Sequence, residues 1–133
     1  MTPNIIEGWE LNPIQKDLLY RYRKTIGQNE LIIDINVTKS PLDLWGQVID
    51  PQNLENSIDI IYDQAYQRWG SIVHVHDIYG KFSSIQKSGP RIDQIFDTAT
   101  DLAEFLVNLA NEINRTSWET VKNKAVLDFS SVT

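Results

Sequence analysis

Over residues 30–37 the chain alternates without interruption, with Leu31, Ile33, Ile35 and Val37 on one side and Ile32, Asp34 and Asn36 on the other. A period of two describes a strand with one covered face. Such a strand needs neighbours for its backbone and an apolar layer on its covered side, so the chain must carry a sheet. The alternation returns over residues 71–79, where Val73, Val75 and Tyr79 oppose Ile72, His74, His76 and Ile78. Gly80-Lys81 then reads as a turn into a partner strand at 82–87, and Ser88-Gly89-Pro90 breaks the pattern.

Helix signals fill the intervals. Asn12-Pro13 supplies a cap residue followed by proline at a first helical position, and Gly27 stands where a left-handed terminal residue belongs, which predicts a helix over 13–26. Asp50-Pro51 repeats the start signal. Leu54, Ile58, Ile61, Tyr62, Ala65 and Trp69 then recur at helical spacing up to Gly70, predicting a second helix. Residues 41–50, with Leu42, Leu44, Trp45, Val48 and Ile49 around Gly46, fit either a short strand or a loop that plugs the core. Thr98 and Asp101 form a capping box with the shorter acid, and Leu102, Phe105, Leu106, Leu109, Ala110 and Ile113 mark one apolar stripe of a third helix ending at Asn114. Thr116 and Glu119 form a second capping box before a last helical turn with Trp118 and Val121, while residues 126–129 fit helix or strand. The expected architecture is α+β, a small antiparallel sheet packed against three or four helices, in one domain spanning 1–133.

The chain's 133 residues suit one domain, and its composition, 41% hydrophobic and 23% charged, is that of a globular protein. No apolar run approaches the ~18 residues that cross a bilayer, and the first twelve residues lack a basic segment followed by an apolar block, so a cytoplasmic location is expected. Zero cysteines exclude a disulfide scaffold, thiol catalysis and cysteine-ligated metal. The six glycines are spread along the chain and none precedes a Lys-Ser/Thr pair, which excludes a phosphate loop, and there is no G-x-S-x-G elbow. The expectation is a protein without catalytic residues or cofactor. His74 and His76 are the only histidines, and two on one strand face could ligate a metal. Nothing in the spacing identifies further ligands, so the expectation is no metal site, and two polar residues on a sheet face account for the pair.

Charge is more informative. Twelve Lys and Arg against eighteen Asp and Glu give a net charge of -6, which disfavours nucleic acid. Residues 41–67 and 92–114 each hold five carboxylates and no Lys or Arg. Positive charge gathers near the start, at Lys16, Arg21, Arg23 and Lys24. On the expected second helix Glu55, Asp59 and Asp63 recur every four residues with Tyr66 in the same sector. Like charges at that spacing disfavour a helix by ~0.2–0.5 kcal/mol per pair, and a row of carboxylates beside aromatics suits a basic partner. Glu55, Asp59, Asp63 and Tyr66 are therefore the candidate partner-binding residues, although a solvated acidic face explains them too.

A small, cysteine-free, acidic α+β chain with an acidic and aromatic stretch from Asp43 to Trp69 and a sheet-then-helix run to Asn114 resembles the bacterial immunity proteins of polymorphic-toxin and contact-dependent growth inhibition systems. The resemblance lies in size and charge and rests on no diagnostic motif. It implies an inhibitor that binds a basic toxin domain, typically a nuclease, and covers or distorts its active site. Two alternatives stay open: an acidic adaptor or chaperone for a secreted effector, and a small metal-dependent enzyme using His74 and His76.

Overall fold

Consecutive antiparallel strands, each paired with the next along the chain, build the sheet. The structure, a computed structural model, describes residues 3–37, 43–63, 68–75, 85–92 and 99–122. The strands are β1 (Glu10–Gln15), β2 (Leu19–Ile26), β3 (Asn29–Asn36), β4 (Asp43–Asp50), β5 (Asn53–Asp63), β6 (Arg68–Val75) and β7 (Ile85–Ile92), and the sheet order is the chain order. One helix follows, α1 (Ala99–Arg115), and then a helical turn at residues 118–122.

The α+β reading with an antiparallel sheet holds in outline, but the expected three or four helices are not there among the described residues. The expected helix at 13–26 is the β1–β2 hairpin. Tyr20 and Tyr22, both buried, alternate with Arg21 and Arg23, a period of two written in residues of high strand propensity. Pro13 sits within β1, the first strand of the sheet, where a missing N–H leaves no interior ladder bond unmade. Gly27 ends no helix. It takes φ +61° as the first central residue of the two-residue turn between Ile26 and Asn29, the position where a type II′ hairpin turn requires glycine.

The expected helix after Asp50-Pro51 is β5. Asp50 does cap a backbone N–H, accepting from Gln52 at 2.9 Å, but the bond closes a hairpin turn, since Asp50 pairs with Asn53. An aspartate that serves a turn and one that starts a helix make the same local bond, so the signal alone does not separate them. Ile58 and Ile60 are buried at alternate positions. Their β-branched side chains favour the pleat over the helix.

Residues 43–50 form a strand, which settles the ambiguous stretch. β3 and β6 fall on the two alternating segments, with β6 beginning earlier than expected. Ser88-Gly89-Pro90 does not end β7 but lies inside it, where the ladder with β6 shifts register between Gly70 and Ile72. The turn expected at Gly80-Lys81, the first capping residue Thr98 and residues 126–129 lie outside the described residues.

One face of the sheet carries Tyr20, Tyr22, Leu31, Ile33, Ile35, Leu44, Val48, Ile58 and Ile60, and α1 lies on it. The helix buries Leu102, Leu106, Ala110 and Ile113 of the expected stripe together with Ala99 and Ala103, while Phe105 and Leu109 are only partly buried. Leu102 and Leu106 are wholly buried, each contributing ~1.5–3 kcal/mol by leaving water. Gly46 is what lets them approach: a Cβ there would stand 3.1 Å from Leu102 Cδ2 and 3.2 Å from Leu106 Cδ1. Ile6 and Trp9 from the N-terminal segment pack against the same core, and the Tyr22 hydroxyl donates to the carbonyl of Asn4.

The second capping box is displaced by one residue. Thr116 closes α1 by donating its hydroxyl to the Glu112 carbonyl at 2.7 Å, and Ser117 Oγ caps the next turn by accepting from the Thr120 N–H at 3.1 Å. That turn is pinned at both ends. Trp118 Nε1 donates to buried Asn29 Oδ1 at 2.9 Å, while Asn29 Nδ2 donates to Asn114 Oδ1 at 3.3 Å. Lys122, itself buried, donates to the Glu55 carbonyl at 3.1 Å and to Asn56 Oδ1 at 3.2 Å. Burial lowers the Lys122 pKa below its usual value, and the nearby Glu55 charge opposes that effect.

Candidate partner-binding face

The face of the sheet turned away from α1 is built from the other half of each alternation. Arg21, Asp34 and Trp45 stand at matched positions on β2, β3 and β4. The next row of that face runs through Glu10, Arg23, Ile32, Gln47 and Asp59, one residue from each of β1 to β5. Cross-strand neighbours on one face stand ~4.5–5.5 Å apart at Cβ, close enough for their side chains to pair.

They do pair. Arg21 holds Asp34 through two parallel bonds, Nε to Oδ1 at 2.8 Å and Nη2 to Oδ2 at 3.0 Å. The bond to Asp34 raises the pKa of the Arg21 guanidinium, so its charge is permanent. Arg23 donates through Nε to Glu30 Oε1 at 2.6 Å. Gln47 Nε2 donates to Asp59 Oδ1 at 2.8 Å. The arginines of these two rows, Arg21 and Arg23, are thus engaged with carboxylates of the same face. Within the two rows Glu10, Asp34 and Asp59 stand against Arg21 and Arg23. Within them Trp45 is 40% exposed, one of four large hydrophobic side chains that are exposed among the described residues.

The candidate residues fall as follows. Asp59 and Asp63 lie on β5, not on a helix, and because four is a multiple of two the strand keeps their positions on one face. The spacing argument changes, however. Four residues of strand span ~13 Å, so the like-charge cost of a helical i, i+4 pair does not apply, and Arg68 holds the β6 position opposite Asp63. Glu55 is set apart from them. Between Asn53 and Ser57 the ladder to β4 slips, pairing Ile49 with Ser57 but Asp50 with Asn53, and Glu55 falls inside that slip, beside Lys122. The expected row of carboxylates without a nearby cation is therefore not what the fold builds: Glu55 has Lys122 next to it and Asp59 is bonded to Gln47. Tyr66 and His76 lie outside the described residues, and His74 occupies a β6 position paired with Gln86. Among the described residues no three His, Asp or Glu side chains come together as a metal site.

Sequence reasoning missed Trp45, Gln47 and the Arg21–Asp34 pair as features of one surface. The signal was present in Leu44-Trp45-Gly46-Gln47-Val48, whose alternate members are buried, but it was hidden by reading Trp45 with the apolar set.

No family model, curated protein or solved structure matches the chain. Among the described residues no helix is long and apolar enough to cross a membrane.

Proposed function

We propose that the chain is a binding protein of the immunity type, acting in the cytoplasm without catalysis or cofactor, which neutralises a basic toxin domain by docking it on the far face of the sheet. One observation carries the reading. Around an exposed indole Arg21 and Arg23 are committed to Asp34 and Glu30, and Glu10 and Asp59 add two further carboxylates to the same rows. A cationic enzyme domain would be steered to such a face, and the carboxylates would meet it already held in place. The chain's net charge of -6 adds a long-range attraction of the same sign. A basic nuclease fits as the partner because its substrate channel carries the complementary charge. Asp59, Asp63 and Tyr66 belong to the proposed contact, while Glu55 extends it only if the partner reaches past the slip in β5.

The test is expression of the open reading frame beside this one, alone and together with this chain. Growth arrest by the neighbour, relief on co-expression, and a one-to-one complex whose association slows as salt rises are the expected results. Arrest without relief, or a complex whose on-rate ignores salt, would overturn the proposal.

A further inference from the structure

We infer that Lys122 is a latch, a buried ammonium that joins the slip in β5 to the helical turn at 118–122, so that slip and turn open together while the rest of the sheet stays paired. The slip is where β5 most needs support from outside its ladder. Ile49 pairs with Ser57 and Asp50 with Asn53, so Leu54, Glu55 and Asn56 take positions for which β4 offers no partner, and the described pairing with β6 begins only at Ile58. Extra residues of this kind leave backbone groups outside the ladder. Leu54 is exposed, and the Glu55 N–H is held within the slip itself, by Asn53 Oδ1 at 3.2 Å. The Glu55 carbonyl and Asn56 Oδ1 both accept from the Lys122 ammonium, at 3.1 and 3.2 Å. Glu55 lies 67 positions before Lys122 in the chain, so no local pattern supplies this bond.

The turn is fastened at two points. Trp118 Nε1 reaches Asn29 Oδ1 at 2.9 Å and Lys122 reaches the slip, with buried Val121 between them in sequence. Asn29 opens β3 and Glu55 belongs to β5, so the turn spans from one to the other past the end of β4. Burying an ammonium is tolerable only while its hydrogen bonds are made. If the slip moves, Lys122 loses both acceptors and must return to water, drawing the end of the turn with it. If the turn lifts, the Glu55 carbonyl and Asn56 Oδ1 lose their donor. Each departure removes the other's partner, and this mutual dependence makes the two segments one opening unit. By linkage, a ligand that prefers the slip as it stands here also holds the turn in place.

Amide hydrogen exchange of the full chain, followed by NMR, tests the latch in Lys122→Met, which keeps an apolar stem and removes the donor. Exchange at Glu55 and at Val121, whose N–H groups are held by Asn53 and Ser117, should accelerate about tenfold at both, while Ile33 in β3 and Leu106 in α1 keep their rates. Two further variants act from either end. Asn29→Ala frees the turn at Trp118 without touching the slip, and exchange at Glu55 should accelerate there too, which a purely local role for Lys122 would not produce. Asn56→Ala leaves the lysine in place and removes one acceptor, and it should speed exchange at Val121. Unchanged exchange at Glu55 in Lys122→Met, acceleration at Glu55 without Val121, or a silent Glu55 in Asn29→Ala and a silent Val121 in Asn56→Ala would overturn the latch. So would acceleration at Ile33 and Leu106 by the same factor, because the whole domain would then be what opens.

Discussion

Replacing Gly46 by alanine tests the packing of α1 on the sheet. The added methyl would meet Leu102 Cδ2 at 3.1 Å, Leu106 Cδ1 at 3.2 Å and Leu102 Cδ1 at 3.3 Å, where carbon atoms ordinarily sit ~3.5–4.0 Å apart. Neither leucine has room to retreat, since both are at 0% exposure. Overpacking of this kind costs ~1–3 kcal/mol, and loss of glycine's freedom in the unfolded chain returns ~0.4–1 kcal/mol. The expected net destabilisation is about 1–2 kcal/mol. Urea unfolding followed by circular dichroism measures it, and the same substitution in a Leu106→Ala background identifies its cause. Leu106→Ala alone should cost ~2–5 kcal/mol, but the space it opens should accept the new methyl, so Gly46→Ala should cost less there by at least ~0.5 kcal/mol. A Gly46→Ala protein as stable as the parent, or an equal cost in both backgrounds, would refute the argument.

Three further outcomes follow from the described contacts. Burial raises the Tyr22 pKa above 10.0, so its stabilising contribution is full below that pH and is lost as pH climbs through the folded value. Denaturation across the alkaline range should show a fall in stability that is shallower in Tyr22→Phe, and an equally steep fall would refute the assignment. Asn29→Ala should cost ~1–3 kcal/mol in thermal or chemical melts, because it strands the buried end of Trp118 and releases Asn114; a loss below ~0.5 kcal/mol would show the clasp to be incidental. The Arg21–Asp34 pair should show a coupling of no more than ~1 kcal/mol in a double-mutant cycle, since the arginine side chain is 36% exposed, and a larger value would mean that the far face is drier than its accessibility indicates.

The elements legible in the sequence were those whose periodicity allowed one interpretation. Leu31, Ile33 and Ile35 cannot share a helix face, and Leu102, Leu106, Ala110 and Ile113 cannot share a strand face, so β3 and α1 emerged where expected. β5 failed because Ile58, Ile61, Tyr62 and Ala65 satisfy a helical stripe while Ile58, Ile60 and Tyr62 satisfy a strand, and a turn-forming Asp50-Pro51 tipped the choice. β2 failed for a related reason: Asn12-Pro13 outweighed a clear Tyr20-Arg21-Tyr22-Arg23 alternation. The acidic stretch was visible as composition. Its pairing was not, because Arg21 reaches Asp34 and Gln47 reaches Asp59 only through a register that no local pattern encodes.

The prolines in the first and last strands have a consequence for how this chain behaves when it is abundant. A meander of seven strands ends in two ribbons able to recruit further copies, and a long, flat one is a template for polymerisation. Here β1 carries Pro13 beside a register irregularity, and β7 carries Pro90 where its ladder to β6 slips. Each proline withholds a donor from any incoming chain, and each irregularity bends the ribbon away from the flatness that stacking requires. Growth of a fibre from either margin of the described sheet is thereby disfavoured. A partner that binds it has the broad surface of the sheet to engage, since its margins are poor templates for another strand.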